Sequence, residues 1–159
     1  MGKPEEKTNA MRLLDKAGVR YETFSYPADG ALTGVQVAKI IGVDENTAFK
    51  TLVTQGKSGE YYVFDLPVNA ELDLKKAAKA VGEKFVEMIK SKDLLSVTGY
   101  IHGGCSPVGM KKRFKTVFDQ SANAYERICF SGGRLGVFLR LNAADAFKVV
   151  EPEFADITV

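Results

Sequence analysis

The chain has 159 residues, 45% of them hydrophobic and 26% charged. That length suits one domain spanning residues 1–159 with a single sizeable core. The net charge is only +2, which excludes attraction of a polyanion by the overall field and leaves any nucleic-acid contact to a local patch.

Taken in chain order, Thr8 predicts the cap of a helix through Met11, Leu13, Leu14 and Ala17, with Gly18 as its stop. Tyr21 to Tyr26 reads as a strand and Pro27-Ala28-Asp29-Gly30 as a turn. Thr33 and Gln36 have the spacing of a capping box, opening a short helix with Val37, Ala38 and Ile41 that stops at Gly42. Ala48–Thr54 and Glu60–Leu66 read as two strands of a hairpin joined by Gln55 to Gly59. Asp73 caps a lysine-rich helix carrying Leu74, Ala77, Ala78 and Val81 and ending at Gly82. A short strand over Lys84–Met88 follows, then a helix capped by Ser91 and ending near Gly99. Strands are expected near Tyr100–Ile101, Thr116–Phe118, Arg127–Phe130 and Val137–Leu141, and Asn142 caps a last helix, Ala143–Val150. Helices and strands mix without a regular βαβ rhythm. The expected class is α+β with a mixed, curved sheet rather than a doubly wound fold.

Two cysteines, Cys105 and Cys129, are too few for a secreted disulfide framework. No apolar run approaches the ~20 residues of a membrane span. The charged opening, Met1 to Lys7, lacks a signal-peptide core. A cytoplasmic protein without membrane contact is the expectation.

Lys50 is the residue that stands out. It interrupts Phe49-Lys50-Thr51-Leu52-Val53, a β-branched and aromatic run. Alternation puts Phe49, Thr51 and Val53 on one face and Lys50 and Leu52 on the other. An ammonium beside a leucine either snorkels to solvent, as edge-strand lysines do, or faces a polar cleft. Gly103-Gly104-Cys105-Ser106-Pro107 is either a tight connection or a loop whose N–H groups converge on an oxyanion or phosphate. Ser131-Gly132-Gly133 has the same two readings. Neither glycine pair opens a helix after a strand as a dinucleotide fingerprint or P-loop requires. His102 and Cys105, with Cys129, are too few for a zinc site. A base two or three residues from its nucleophile rarely has the geometry of a Cys-His pair. No metal and no cofactor are expected. Lys111, Lys112, Arg113 and Lys115 put four positive charges in five residues, a phosphate grip or a solvated turn. Lys75, Lys76 and Lys79 read as the exposed side of an amphipathic helix.

Taken together and in this order, these segments resemble the YbaK/EbsC family of aminoacyl-tRNA deacylases, related to the editing domain of bacterial prolyl-tRNA synthetases. The landmarks are Phe49-Lys50-Thr51-Leu52, the segment from Leu72 to Gly82, Thr98-Gly99-Tyr100, the segment from Gly103 to Arg113, and Ser131-Gly132-Gly133. The resemblance covers nearly the whole chain. It implies a barrel-like mixed sheet surrounded by helices, with a pocket between the lysine strand and the glycine loop. It implies Lys50 as the central residue, surrounded by Tyr26, Thr51, Gly103, Gly104, Pro107, Ser131 and Gly132. It also implies trans-editing of aminoacyl-tRNA, foremost removal of cysteine from Cys-tRNA(Pro) or Cys-tRNA(Cys), with prolyl-tRNA synthetase as a candidate partner.

The family chemistry lets the substrate's own thiol attack its ester, which matches a chain offering backbone N–H groups and a lysine. Two other readings stand beside it: an alanyl-tRNA(Pro) deacylase using water or a ribose hydroxyl, and a non-catalytic module that binds tRNA or a synthetase. Lys111, Lys112, Arg113 and Lys115 are the expected tRNA-binding cluster. The chain departs from the family pattern at the pocket. It is about two residues shorter between Tyr26 and Gly34, and carries Thr33 in place of a phenylalanine and Phe138 where some members have a polar residue.

Overall fold

The computed structural model describes residues 6–159. Residues 1–5, most of the charged opening segment, lie outside it. Helix α1 (Asn9–Lys16) starts where the Thr8 hydroxyl accepts from the Met11 N–H at 3.2 Å. It buries Ala10, Met11 and Leu14 on one face. Helix α2 (Gly34–Ile41) has the full capping box: Gln36 N–H donates to Thr33 Oγ1 and Thr33 N–H donates to Gln36 Oε1. The Asp73 carboxylate caps α3 (Leu74–Val81) by accepting from the N–H groups of Lys75 and Lys76 at 3.0 and 3.1 Å. Asn142 caps α5 (Ala143–Val150). Helix α4 (Ser91–Thr98) differs from expectation: Lys90 occupies the cap, makes no side-chain cap bond, and Ser91 is the first helical residue.

The strands form two sheets among the described residues. The smaller is antiparallel, in the order β1-β7-β6, from β1 (Tyr21–Ser25), β6 (Arg127–Ser131) and β7 (Val137–Asn142). The larger is mixed, in the order β4-β2-β3-β5-β8. It contains the expected hairpin, β2 (Phe49–Gly56) with β3 (Tyr61–Pro67), in a register that places Thr51 opposite Asp65. The short β4 (Val86–Met88) pairs only with Thr54 to Gly56. The remaining strands, β5 (Lys115–Asp119) and β8 (Glu153–Ala155), add on in parallel.

Three points differ from the sequence reading. Among the described residues the sheets do not close into a barrel: a single parallel bridge, Ala48 to Cys129, links them. Tyr100–Ile101 is not a strand but leads into a turn, held by the Tyr100 hydroxyl donating to the Val108 carbonyl. Strand β8 has no sequence signal because three residues cannot display alternation.

The largest apolar cluster packs α1 and α5 on the two sheets through Leu14, Phe49, Phe118, Ile128, Phe130 and Leu139. Phe49 and Phe118 stack with ring centroids 6.1 Å apart. A second cluster packs α3 on the far face of β3, through Phe64, Leu66, Ala77 and Val81. The chain end is tied down beside α3. Asp73 N–H donates to the Ile157 carbonyl at 2.8 Å, and Val159 N–H to the Glu71 carbonyl at 3.0 Å.

Two glycines separate backbone conformation from crowding. Gly18 has φ 73° and open space around a notional Cβ. Gly109 has φ 84°, and a Cβ there would lie 2.7 Å from the Tyr100 hydroxyl and 2.9 Å from α1 backbone. Gly18→Ala is expected to cost about 1–2 kcal/mol of unfolding free energy, and Gly109→Ala about 3 kcal/mol or more, strain and overpacking together. Denaturant titrations of both variants check this. Equal losses would show that α1 yields freely to the Gly109 loop.

Candidate active site

The opening between the two sheets creates the site. Among the described residues, strand β2 has a strand partner on its outer side only at its two ends, the Ala48 bridge and the β4 pairing. Val53 directs its carbonyl to that outer side, where it accepts from Ile89 N–H at 3.2 Å. In an antiparallel strand alternate residues face the same neighbour, so the N–H and C=O of Thr51 also point to the outer side. There the edge borders a cavity of about 350 Å³.

Phe49, Lys50, Thr51 and Leu52 form one wall of this cavity, His102, Gly103 and Cys105 a second, and Tyr26, Ser131, Leu135 and Phe138 a third. The start of α2, with Thr33, Gly34 and Val37, closes another side. Lys50 is half-buried. Burial pushes its ammonium below the ordinary lysine value, opposed by the negative charge of Glu71. Among the described residues no carboxylate lies within ion-pair distance of it. Glu71 acts only through its longer-range field.

Tyr26, Lys50, Thr51, Gly103 and Ser131 therefore line one cavity. Tyr26 packs edge-on against Phe138 with centroids 6.1 Å apart, and its N–H donates to the Gly136 carbonyl at 2.9 Å. Ser131 Oγ accepts from the Gly133 N–H at 3.1 Å. The remaining members of the implied set do not line the cavity. Gly104 donates its N–H to the Ile101 carbonyl at 2.9 Å, and a Cβ on it would meet Arg134 backbone at 2.9 Å. Its part is to let the 131–136 turn pass close by. Gly132 N–H donates to the Val137 carbonyl at 2.8 Å. Pro107 borders a separate hollow of about 140 Å³ with Met110 and Lys112.

Cys105 does reach the cavity wall, but burial and the neighbouring Asp65 push its thiol up to about 12. Cys129 is fully buried, and burial pushes its thiol up to about 11. Neither has the depressed pKa of a nucleophile. Among the described residues no three His, Cys, Asp or Glu side chains gather as metal ligands would.

The basic segment is less unified than its sequence suggests. Arg113 pairs with Glu151 at 2.8 Å and donates to the Val149 and Val150 carbonyls at the end of α5. Lys115 pairs with Glu153 at 3.0 Å. Lys111 and Lys112 have no ion pair among the described residues. Sequence reasoning missed Asp65. It lies beneath Thr51, fully buried, and accepts from the Thr51 hydroxyl at 2.6 Å. Its only sequence signal is an acid inside a strand, and its partner is set by the hairpin register.

With this geometry in view, relatives give the family. The aminoacyl-tRNA editing domain profile matches residues 29–149. The chain belongs to the aminoacyl-tRNA editing domain family. EbsC of Enterococcus faecalis, assigned as a Cys-tRNA(Pro)/Cys-tRNA(Cys) deacylase, is 42% identical over 157 residues, covering 98% of this chain and 96% of EbsC. A proline–tRNA ligase of Thermosipho melanesiensis is 26% identical over 78% of the chain, which spans 22% of that enzyme. A solved structure described as a trans-editing enzyme for prolyl-tRNA synthetase superposes with a TM-score of 0.85 at 22% identity, over 95% of both chains. That last likeness shows the fold of the editing domain. No helix among the described residues is long and apolar enough to cross a membrane.

Burial holds the Asp65 carboxyl up to about 8, against an ordinary value of 3.8. The folded protein thus keeps a proton there that the unfolded chain has released, and this contribution to stability falls as pH rises from about 4 to about 8. Asp65→Asn removes it. The unfolding free energy of the Asn variant minus that of the wild type is expected to climb steadily between about pH 5 and about pH 8. A flat difference would mean that Asp65 is ionised in the fold.

Proposed function

We propose that this protein is a trans-editing aminoacyl-tRNA deacylase that removes a mischarged amino acid, cysteine foremost, from tRNA in the cytoplasm. The observation that carries the reading is Lys50: a half-buried cation without an ion-pair partner among the described residues, on an open strand edge, facing the glycine loop across a cavity of about 350 Å³. That volume suits an amino acid and its ester rather than a nucleic-acid chain, so the tRNA body stays outside. The likeness to EbsC supports cysteine as the substrate residue, and the likeness to the ligase supports prolyl-tRNA synthetase as partner.

The chemistry needs no side-chain nucleophile. The substrate thiol loses its proton, its sulfur bonds to the ester carbonyl carbon, the carbon–oxygen bond to the terminal ribose breaks, and the ribose oxygen takes up a proton. The amino acid leaves as a cyclic thioester that water opens. A cation beside a thiol favours thiolate; Lys50 fills this role. The N–H groups of Gly103 and Cys105 make no hydrogen bond among the described residues and serve as donors to the developing oxyanion. Gly104 is excluded because its N–H is already spent on Ile101.

Lys50→Ala is expected to lower single-turnover deacylation of Cys-tRNA(Pro) by roughly 100-fold or more, the scale of a lost charge-stabilising donor. Lys50→Met, which keeps the stem's bulk, should be equally poor. Ser-tRNA(Pro) and Ala-tRNA(Pro) should react far more slowly than the cysteinyl ester, and Cys105→Ser with Cys129→Ala should retain activity. Equal rates on the three esters would assign the attack to water or a ribose hydroxyl. A folded Lys50→Ala enzyme at full speed would leave a binding module.

Among the basic residues, Lys111 and Lys112 are assigned to tRNA phosphates, and Arg113 and Lys115 chiefly to holding the α5–β8 corner. Replacing Lys111 and Lys112 with alanine should weaken tRNA binding and flatten its log–log salt dependence by about one unit for each phosphate no longer neutralised. Replacing Arg113 and Lys115 should leave that slope nearly unchanged. The reverse pattern in a salt titration would exchange the assignments.

A further inference from the structure

Asp65 has no part in the chemistry above, yet its place is unusual. The side chain is fully buried, Oδ1 accepts from the Thr51 hydroxyl at 2.6 Å, and Oδ2 has no hydrogen-bond partner among the described residues. Val53 and Val63 share its face of the hairpin, Phe118 stands beside it on β5, and its field reaches the Cys105 thiol. An unpaired acid costs stability where a valine would pack without penalty.

The hydrogen bond it makes has a direction. A hydroxyl has one proton and two lone pairs, and Thr51 sends its proton inward. On the open strand edge Thr51 therefore presents two acceptors, Oγ1 and its own carbonyl, beside its backbone N–H; with its proton turned inward, the hydroxyl is left to accept. An acceptor pair above a buried carboxyl suits a positively charged donor, and the ester of an amino acid carries one beside its carbonyl. We infer that Asp65, acting through Thr51, is the positioning residue that selects the α-ammonium group of the aminoacyl ester. The inference rests on reading the cavity as an aminoacyl site. It separates the two cations: the ammonium of the substrate sits at Thr51, on the Asp65 face of the sheet, and Lys50 works from the other.

Charge links the two ends. Without ligand, burial keeps Asp65 protonated at neutral pH. A cation arriving at Thr51 favours the carboxylate, so binding expels a proton. The other titratable groups around this spot are Lys50 on the strand of Thr51, His102 and Cys105 on the glycine-loop wall, Tyr26 on the third wall and Tyr100 behind the glycine loop. An Asp65→Asn control separates Asp65 from all of them.

The test uses two non-hydrolysable probes, 3′-amino-3′-deoxyadenosine acylated with alanine or with propionic acid, which differ only in the ammonium. The wild type is expected to bind the alanyl probe at least roughly tenfold more tightly, the effect of a charge-assisted contact, with proton release seen as buffer-dependent heat. Asp65→Asn and Thr51→Val should bind the two probes equally, and Asp65→Asn should release no proton. Thr51→Ser should restore the preference. A purely structural role would weaken both probes alike and leave their ratio intact. Equal binding by the wild type, or an undiminished ratio in Asp65→Asn, overturns the inference while the aminoacyl reading stands. Binding of neither probe overturns both.

Discussion

A β-strand edge normally ends in a partner or in water. Strand β2 has a third arrangement, and the site depends on it. Cys129 secures one end of its outer edge and β4 the other, and the stretch between faces the hollow. Had the two sheets zipped together beyond Ala48, the backbone of Thr51 would be spent on a ladder and the cavity filled. An unsatisfied buried polar group costs about 1–3 kcal/mol. The open edge is therefore held apart by the packing around it, by the Phe49–Phe118 stack beneath and the turns of residues 102–105 and 131–136 alongside. Its donors and acceptors stand ready for a substrate without reorganisation.

The same edge explains why two opposite charges within one hairpin do not neutralise each other. Lys50 lies opposite Leu66 and Thr51 opposite Asp65, so the ammonium and the carboxyl project from opposite faces of the sheet. Burial moves the lysine down and the aspartate up; each is pushed toward its neutral form. A direct ion pair would have fixed both in the charged form and left neither responsive to a ligand. Glu71, placed by the strap of residues 157–159, tempers this for Lys50 through its field alone.

Much of this was legible in the sequence, and the legible parts are local. Thr8, Thr33, Asp73 and Asn142 announce their helices because a cap bonds within three residues. Lys50 stands out because its neighbours are apolar, and the glycine loop because few residues tolerate its backbone. What was not legible is set by distant partners. Arg113 and Lys115 read as free charges until Glu151 and Glu153 arrive from nearly forty residues on. Asp65 reads as a polar residue in a strand until the hairpin register sets it under Thr51. Gly104, Pro107 and Gly132 read as contacts, yet they shape the loops that carry Gly103 and Ser131. The mixed sheet and its helices were expected, but where the two sheets part was not legible, because strand alternation says which face is apolar and nothing about where a sheet opens.

The two departures at the pocket bear on what it can distinguish. Thr33 is tied to the start of α2 through its bond from Gln36, and Phe138 packs edge-on against Tyr26. These walls are anchored and mostly apolar, with no side-chain group committed to reading a thiol. A wall of this kind discriminates by size, and size is a weak criterion: one methylene separates rates by roughly 10- to 200-fold. Alanine, serine and cysteine all fit a hollow that admits the largest of them. On the proposed chemistry, selection among them would come from reactivity at the carbonyl, where a thiol near a cation ionises and a methyl group or hydroxyl does not. An enzyme with loose walls and strict chemistry needs only one fixed point, the shared ester and ammonium of its substrates, to hold each candidate where that chemistry decides.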